Sequence, residues 1–136
     1  MRLKTMKIKH GILEHIVGHA QKDAPIEACG YLMGKEGFIT KVLSMTNAEG
    51  REDHFTFAPQ EQFDAYKKAR AWGVDIMGAY HSHPATPARP STEDIKLAFD
   101  SSLLYVIASL AEGERTIKAF WIKEGEVQEE PLTAEN

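Results

Sequence analysis

Residues 75–94 read DIMGAYHSHPATPARPSTED, and both the fold and the site can be predicted by working outward from them. The stretch from Asp75 to Ser82 is apolar enough to form a central strand of a sheet. Three prolines then keep the chain irregular as far as Ser91, a residue suited to N-cap a helix. We expect that helix to run to about Asp100. A strand, a rigid loop and a helix are therefore predicted in succession.

Two histidines lie at the end of this predicted strand. His81 and His83 are two residues apart, so an extended backbone directs both side chains to the same face. Their Cα atoms would be roughly 6–7 Å apart, a separation from which two imidazoles can converge on one metal ion. Asp94 would add a third ligand if the proline loop returns the helix over the strand end. Two imidazoles, one carboxylate and an open fourth position are typical of a catalytic zinc site.

A hydrolase with such a site also needs a base for the attacking water and a donor for the developing oxyanion. Ser91 is close enough in sequence to Asp94 to supply the donor. Glu27 is the candidate base, because it precedes an apolar segment that can lie beside the metal-bearing strand. A simpler interpretation also exists for Ser91 and Asp94, as a helix N-cap and a first-turn acid. Both interpretations can hold for Ser91.

Hydrophobic periodicity predicts further elements along the chain. The predicted helices are 10–22 and 59–72, and the predicted strands are 29–33, 38–45, 55–57, 103–110, 115–123 and 127–131. Turns are expected at 34–37 and 112–114, and the tail is polar. This mixture of helices, strands and local hairpins indicates an α+β layered domain, and we expect residues 1–136 to form one domain.

Composition excludes several classes of protein. The chain is 43% hydrophobic and 26% charged, with a formal net charge of -4, so no basic face for nucleic acid is expected. Cys29 is the only cysteine, which excludes an intrachain disulfide and favours a reducing compartment. No stretch has the length of a signal peptide's apolar region or of a membrane span. We therefore expect a cytoplasmic protein with no membrane or nucleic-acid partner.

Two segments together resemble a known family. EACG (residues 27–30) and HSHP (residues 81–84), with Ser91 and Asp94 at their spacing, resemble the JAMM metalloproteases, the catalytically competent MPN domains. That pattern is an upstream Glu, then His-x-His-Pro, six residues, Ser, two residues and Asp, and every part of it is present. The resemblance extends over most of the chain and is strongest to the short bacterial and archaeal members.

The resemblance implies a role for each matching residue. His81, His83 and Asp94 would bind zinc, with one ion per chain. Glu27 would be the general acid and base, and Ser91 would help to stabilise the tetrahedral intermediate. The implied fold is a curved mixed sheet flanked by helices in three α/β/α-like layers, related to the cytidine deaminases.

The resemblance also implies a substrate, an amide bond after the Gly-Gly tail of a ubiquitin-like β-grasp protein. Family members that cut ubiquitin chains carry an insertion after the catalytic Asp, whereas here residues 95–100 lead directly into the next strand. This favours a sulfur-carrier type of protein joined to cysteine, a peptide or a lysine. The carrier, the released group, the biosynthetic or deconjugating role, the native metal and the oligomeric state stay open.

Other functions fit the sequence less well. A non-catalytic MPN-type scaffold or interaction domain would lack the ligands that this chain keeps. A nucleoside deaminase would need a Pro-Cys-x-x-Cys motif, which a single cysteine excludes. A metallo-β-lactamase would need further His and Asp motifs, and an amidohydrolase barrel usually needs about 250 residues.

Several other polar and aromatic residues receive simpler interpretations. Cys29 is expected to be a buried packing residue near the site and not a nucleophile. His15 and His19 are four residues apart on a helix, but the His-Glu-x-x-His order is absent, so we predict surface histidines. Core positions are predicted for the aromatic residues Phe55, Phe57, Phe63 and Trp72.

Overall fold

A computed structural model describes residues 6–111 and 116–136 of the chain. The helices of this described part are α1 (His10–Asp23), α2 (Pro59–Trp72) and α3 (Thr92–Lys96). Its strands are β1 (Met6–Lys9), β2 (Cys29–Lys35), β3 (Phe38–Met45), β4 (Asp75–His83), β5 (Leu104–Ser109), β6 (Thr116–Lys123), β7 (Glu126–Glu130) and β8 (Leu132–Glu135). None of the described helices is long and apolar enough to cross a membrane.

The strands form one mixed sheet in the order β7-β6-β5-β4-β2-β3-β1-β8. Strand β4 lies near the middle, antiparallel to β2 and parallel to β5. His81 is opposite Cys29 on β2 and Ile107 on β5. The strand that carries the two histidines is thus held on both sides, as its apolar sequence predicts.

Helices cover both faces of the sheet. Helix α1 packs Ile12 and Ile16 against a cluster that includes Leu32 and Tyr80 on one face. Helix α2 packs Ala65 and Ala69 on the other face, in a cluster with sheet residues Tyr31, Met33 and Ala79. The prediction of a mixed sheet flanked by helices in three layers is confirmed. The relation to cytidine deaminases stays a prediction.

The structure requires glycine at two positions. A Cβ atom at Gly30 would clash with the ring of Tyr80 and with the carbonyl oxygen of Leu43, so β2 approaches its neighbours as closely as glycine allows. Gly73 ends α2 in the left-handed region at φ 69°, and its N–H donates to carbonyls of the last turn.

Two predicted elements in the middle of the chain were wrong. Helix α3 ends at Lys96 and not near Asp100, because the backbone after it leaves the helical pattern, with the Ala98 N–H donating to the Ile95 carbonyl and the Phe99 N–H to the Leu97 carbonyl. Residues 55–57 form no strand beyond a single bridge from Phe57 to Asn47. The backbone of Thr56 bonds to the Asn47 side chain and to Ala48 instead of to a neighbouring strand.

The ends of the chain also differ from expectation. The polar tail forms strand β8, which pairs in parallel with β1, an element that the periodicity did not predict. Both strands have only four residues, too few to give a clear alternation. The predicted turn at 112–114, and residue 115 of the next predicted strand, lie outside the described residues.

Candidate metal centre

His81 and His83 point to the same face of β4, as their spacing predicts. Their Nε2 atoms lie 3.2 Å apart. Only 2% of His81 and 3% of His83 is exposed. Two imidazoles held this deeply and this close together need a charged partner or a shared ion to be stable.

Asp94 completes a triangle of ligand atoms. Its Oδ2 atom lies 2.9 Å from His83 Nε2 and 3.1 Å from His81 Nε2. The carboxylate is held by a capping box at the start of α3, in which the Ser91 N–H donates to Asp94 Oδ2 and the Asp94 N–H donates to Ser91 Oγ. The proline loop therefore does return this helical turn over the strand end.

The residues present fit a zinc ion. Ligand atoms of a tetrahedral zinc site, each about 2.0–2.1 Å from the metal, are about 3.3 Å from one another. The three edges of the triangle measure 2.9, 3.1 and 3.2 Å. No other group of three such residues in the described ranges has this arrangement. Two imidazole nitrogens and one carboxylate oxygen also suit zinc better than magnesium or calcium.

The outer nitrogen of His83 has a partner that sets its tautomer. The Nδ1 atom lies 2.8 Å from the carbonyl oxygen of Pro87 and must therefore carry the proton. In the neutral ring, Nε2 then presents its lone pair toward the triangle, which is the usual arrangement for a metal-binding histidine, whereas in the imidazolium it donates a hydrogen bond to Asp94. His81 Nδ1 is buried and has no hydrogen-bond partner among the described residues.

The charges of the cluster favour a cation. Burial raises the pKa of the Asp94 carboxyl, but hydrogen bonds from His81 and His83 outweigh it and hold the pKa well below its ordinary range. Burial lowers the pKa of His83, but its bonds to Asp94 and Pro87 leave the pKa raised. An ionised carboxylate next to two imidazoles is a site that stabilises positive charge.

Glu27 lies two residues before Cys29, which is the first residue of β2 and the residue that pairs with His81. It is 3% exposed, and its Oε1 atom has no hydrogen-bond partner in the described part of the chain. Burial raises the pKa of Glu27 to about 8, and the charge of His83 offsets only part of this effect. A buried carboxyl with a pKa near neutrality is suited to exchange protons with a substrate.

Three residues that were not selected from the sequence help to build the site. The first two are Ser82 and Phe55. The Ser82 hydroxyl accepts the Ala28 N–H at 2.8 Å, joining β4 to the residue after Glu27. The ring of Phe55 stacks on His81 with centroids 4.8 Å apart.

The third residue, Asn47, organises the loop that carries Phe55. Its Nδ2 group donates to the carbonyl oxygens of Glu27, Arg51 and His54, at 3.0–3.3 Å. Its Oδ1 atom accepts the Thr56 N–H at 3.2 Å. The HxH pattern could have drawn attention to Ser82, but no local signal marks Asn47 or Phe55.

A cleft of about 440 Å³ opens beside the triangle. His81 and Asp94 lie in its wall, and most of the remaining wall is aromatic or aliphatic. This size and lining are typical of a small-molecule or peptide site.

The predictions for Cys29, His15 and His19 were confirmed only in part. Cys29 is buried as predicted, and burial raises the pKa of its thiol to about 12, so it is not a reactive thiolate. His15 is exposed, but the surface prediction for His19 was wrong. The His19 side chain is 12% exposed and lies 2.7 Å from the Tyr80 hydroxyl and 3.0 Å from Asp23.

The four aromatic residues predicted to lie in the core differ in their exposure. Phe63 is 60% exposed and Trp72 is 46% exposed, so the core prediction was wrong for both. Phe55 and Phe57 are half-buried in the wall of the cleft.

The fold and the cluster define a class of protein: an α/β/α domain in which a central strand presents His-x-His to an aspartate in the first turn of a short helix. Residues 9–123 match the family described as prokaryotic homologs of the JAB domain. The chain therefore belongs to the JAMM/MPN family, in its short prokaryotic form.

Similar proteins align with most of the chain. It is 34% identical over 131 residues to the CysO-cysteine peptidase of Mycobacterium tuberculosis, covering 94% of this chain and 90% of that protein. It is 30% identical over 123 residues to a probable TtuB-protein conjugate cleaving protease of Thermus thermophilus, covering 90% and 79%. A solution structure of a Desulfitobacterium hafniense protein has a TM-score of 0.89 and 39% identity, covering 96% and 93%. The chain is a hydrolase.

Proposed function

We propose that this chain is a zinc-dependent peptidase or isopeptidase. It hydrolyses the amide bond after the C-terminal Gly-Gly tail of a small ubiquitin-like protein of the sulfur-carrier type. The observation that carries the proposal is the triangle of His81 Nε2, His83 Nε2 and Asp94 Oδ2, with edges of 2.9–3.2 Å, at the wall of a cleft. The names of the two relatives, a peptidase and a conjugate-cleaving protease, support the substrate class.

His81, His83 and Asp94 would hold one zinc ion. When bound, zinc supplies a Lewis acid that polarises the scissile carbonyl and lowers the pKa of a water toward about 7. This function explains why the two buried histidines and the ionised carboxylate converge, since without a cation the cluster would be a costly arrangement.

Glu27 moves the proton. Its carboxylate accepts a proton from the attacking water as the new C–O bond forms at the carbonyl carbon. It then gives that proton to the departing nitrogen as the C–N bond breaks, so that one water yields a carboxyl group and an amine. The pKa of Glu27, about 8, is close enough to neutrality for the carboxyl to take up and release a proton. A bound cation would bring this pKa down toward neutrality.

Ser91 would stabilise the developing oxyanion. Its Oγ atom is already an acceptor for the Asp94 N–H at 3.0 Å, and the hydroxyl proton is the group that would be donated to the substrate. The same hydroxyl therefore caps α3 and contributes to the reaction. Both of the interpretations that the sequence allows for Ser91 are part of this proposal.

The short connection after the site supports a small carrier. Helix α3 ends at Lys96 and β5 begins at Leu104, so residues 97–103 form the whole link. That link is too short to form a separate surface for a second folded partner. We infer a cytoplasmic location, since a single reduced cysteine suits a reducing compartment.

A cleavage assay read by mass spectrometry tests the proposal. The substrate is a β-grasp carrier ending in Gly-Gly, extended by cysteine or by a short peptide. It is incubated with the zinc-loaded chain, with the chain plus a chelator, and with Glu27→Gln. Glu52→Gln, which changes an exposed glutamate, is the matched control. We expect cleavage after Gly-Gly that is lost with the chelator and with Glu27→Gln but kept with Glu52→Gln.

Two results would contradict the proposal. Cleavage that survives the chelator would exclude the metal mechanism. A protein that retains zinc and cleaves no such carrier would favour the non-catalytic scaffold.

A further inference from the structure

The cleft beside the triangle has a mostly apolar wall. The side chains that give it this character are Tyr31, Phe55, Phe57, Tyr66, Leu97 and Phe99. They come from β2, the loop before α2, α2 itself and the segment after α3. Four separate parts of the chain thus converge to line one cavity next to His81 and Asp94.

The inner wall is preformed. The Phe57 ring lies 4.7 Å from the Tyr31 ring, and Tyr66 lies edge-on to Tyr31 at 6.2 Å. The Gln62 side chain donates to the Tyr31 hydroxyl at 3.2 Å and fixes that ring. Phe55 is held by its stack on His81. A rigid aromatic pocket of this kind binds an apolar group with little loss of conformational entropy.

The outer rim of the cleft carries large side chains that are exposed and not buried in the core. Phe99 is 86% exposed, Tyr66 is 53% exposed and Leu97 is 41% exposed. Contiguous apolar surface at the mouth of a cleft marks a place where a ligand or partner is covered from water. Because the rim is continuous with the wall that holds His81 and Asp94, its occupant is the substrate of this site.

The charged residues that line the cleft limit which side chains can bind in it. The described residues that line the cleft include the carboxylates of Asp94 and Asp100 but no lysine or arginine. Away from the metal ligands, an acidic side chain in this cavity would lose its water without gaining a lysine or arginine partner. An apolar side chain meets no such cost.

The proposed function decides which part of the substrate enters the cleft, so this inference rests on it. On the carrier side the two residues next to the scissile bond are glycines, which have no side chain to place in the cleft beside His81 and Asp94. We propose that the cleft receives the side chain of the first residue of the released group, and that it selects a bulky apolar residue such as phenylalanine, leucine or methionine. The space exceeds what a released cysteine requires.

Four carriers that differ only in the residue after Gly-Gly test this selection. The residues are phenylalanine, cysteine, alanine and aspartate, and kcat/KM is measured for each with zinc-loaded protein. Filling the pocket should raise kcat/KM for phenylalanine at least ~10-fold over alanine, since each apolar group gained in such a pocket changes the rate by about 10-fold or more. Aspartate should be the slowest.

Two phenylalanine variants provide the matched comparison. Phe99 and Phe63 are both exposed, but only Phe99 lines the cleft. Phe99→Ala should lose most of the preference for phenylalanine while it keeps its zinc content. Phe63→Ala should keep the preference.

The outcomes separate the two proposals. Cleavage of all four carriers at similar rates, or fastest cleavage of the aspartate carrier, would overturn the apolar selection and leave the proposed function standing. An equal loss of preference in Phe63→Ala would also overturn it. Absence of cleavage from every carrier by zinc-loaded protein would overturn both.

Discussion

The Nδ1 atom of His83 lies 2.8 Å from the carbonyl oxygen of Pro87, four residues further along the chain. The proline loop therefore does two things at once. It fixes the tautomer that leaves Nε2 available, and it returns Ser91 and Asp94 to the strand end, where the carboxylate lies 2.9 Å from that same Nε2. The restricted backbone of the proline loop helps to bring together ligand atoms of residues eleven apart in sequence.

Replacing Asp94 should abolish metal binding. Asp94→Ala removes one corner of the triangle and leaves two imidazoles, which bind zinc much more weakly than a three-ligand site. We expect zinc content, measured by inductively coupled plasma mass spectrometry after dialysis, to fall from one ion per chain to near zero. The control is Glu93→Ala, which removes a neighbouring carboxylate of the same helical turn and should retain the metal. Equal zinc in wild type and Asp94→Ala would exclude this set of ligands.

Substitutions at Ser91 separate its two roles. Ser91→Ala removes the N-cap of α3, worth about 1 kcal/mol, and should weaken zinc binding because the cap also orients Asp94. Ser91→Asn restores a cap, since asparagine is among the best N-cap residues, but it has no hydroxyl.

We therefore expect Ser91→Asn to recover the zinc affinity of wild type and to stay at least ~10-fold slower in kcat, as expected when an oxyanion donor is lost. Metal titration and steady-state kinetics on the same preparations would measure both. Full recovery of kcat in Ser91→Asn would mean that the serine acts only as a cap.

How far the site could be predicted differs from residue to residue. The alternation of a strand is enough to place His81 and His83 on one face, and the Ser91 to Asp94 spacing is enough to predict a cap. These relationships are local, so the sequence carries them directly. Glu27 could be proposed from the apolar segment that follows it and from the family motif, but its approach to β4 depends on the pairing of β2 with that strand, which no local pattern determines.

The residues that were missed depend on contacts between distant segments. Asn47 contacts the backbone at positions from 27 to 56, and nothing around it in the sequence indicates these partners. The early end of α3 follows from non-helical backbone bonds at Ala98 and Phe99, and β8 forms because β1 offers it an edge. Local periodicity cannot predict hydrogen bonds that tertiary structure supplies.

Asn47→Ala should impair both folding and turnover. The substitution leaves the carbonyl oxygens of Glu27, Arg51 and His54 without the amide that joins them, which should lower the free energy of unfolding by about 1–3 kcal/mol. It should also lower kcat, because the loop that it organises carries the ring stacked on His81.

Chemical denaturation and kinetics on the same samples would check both effects. Thr46→Ala, which removes one exposed bond to Glu61, is the neighbouring control and should cost less than about 1 kcal/mol. An Asn47→Ala protein with wild-type stability would mean that the loop is held by its other contacts.

Removal of the Glu27 carboxyl should stabilise the metal-free protein, although it should abolish turnover. Burial raises the pKa of Glu27 from 4.5 to about 8 in the folded chain, so between these values the folded state keeps a proton that the unfolded state has released. The contribution of Glu27 to the stability of wild type therefore falls as the pH rises from about 4.5 to about 8. Glutamine at this position has no proton to lose.

We expect chelator-treated Glu27→Gln to be more stable than wild type by at least about 1 kcal/mol at pH 8, since a tenfold change in a proton dissociation constant is equivalent to about 1.4 kcal/mol. The difference should shrink toward zero near pH 5, where Glu27 is protonated in the fold. Thermal denaturation at the two pH values measures it. Glu52→Gln, the same substitution at an exposed position, is the matched control. A stabilisation of the same size at both pH values would show that the effect comes from packing and not from ionisation.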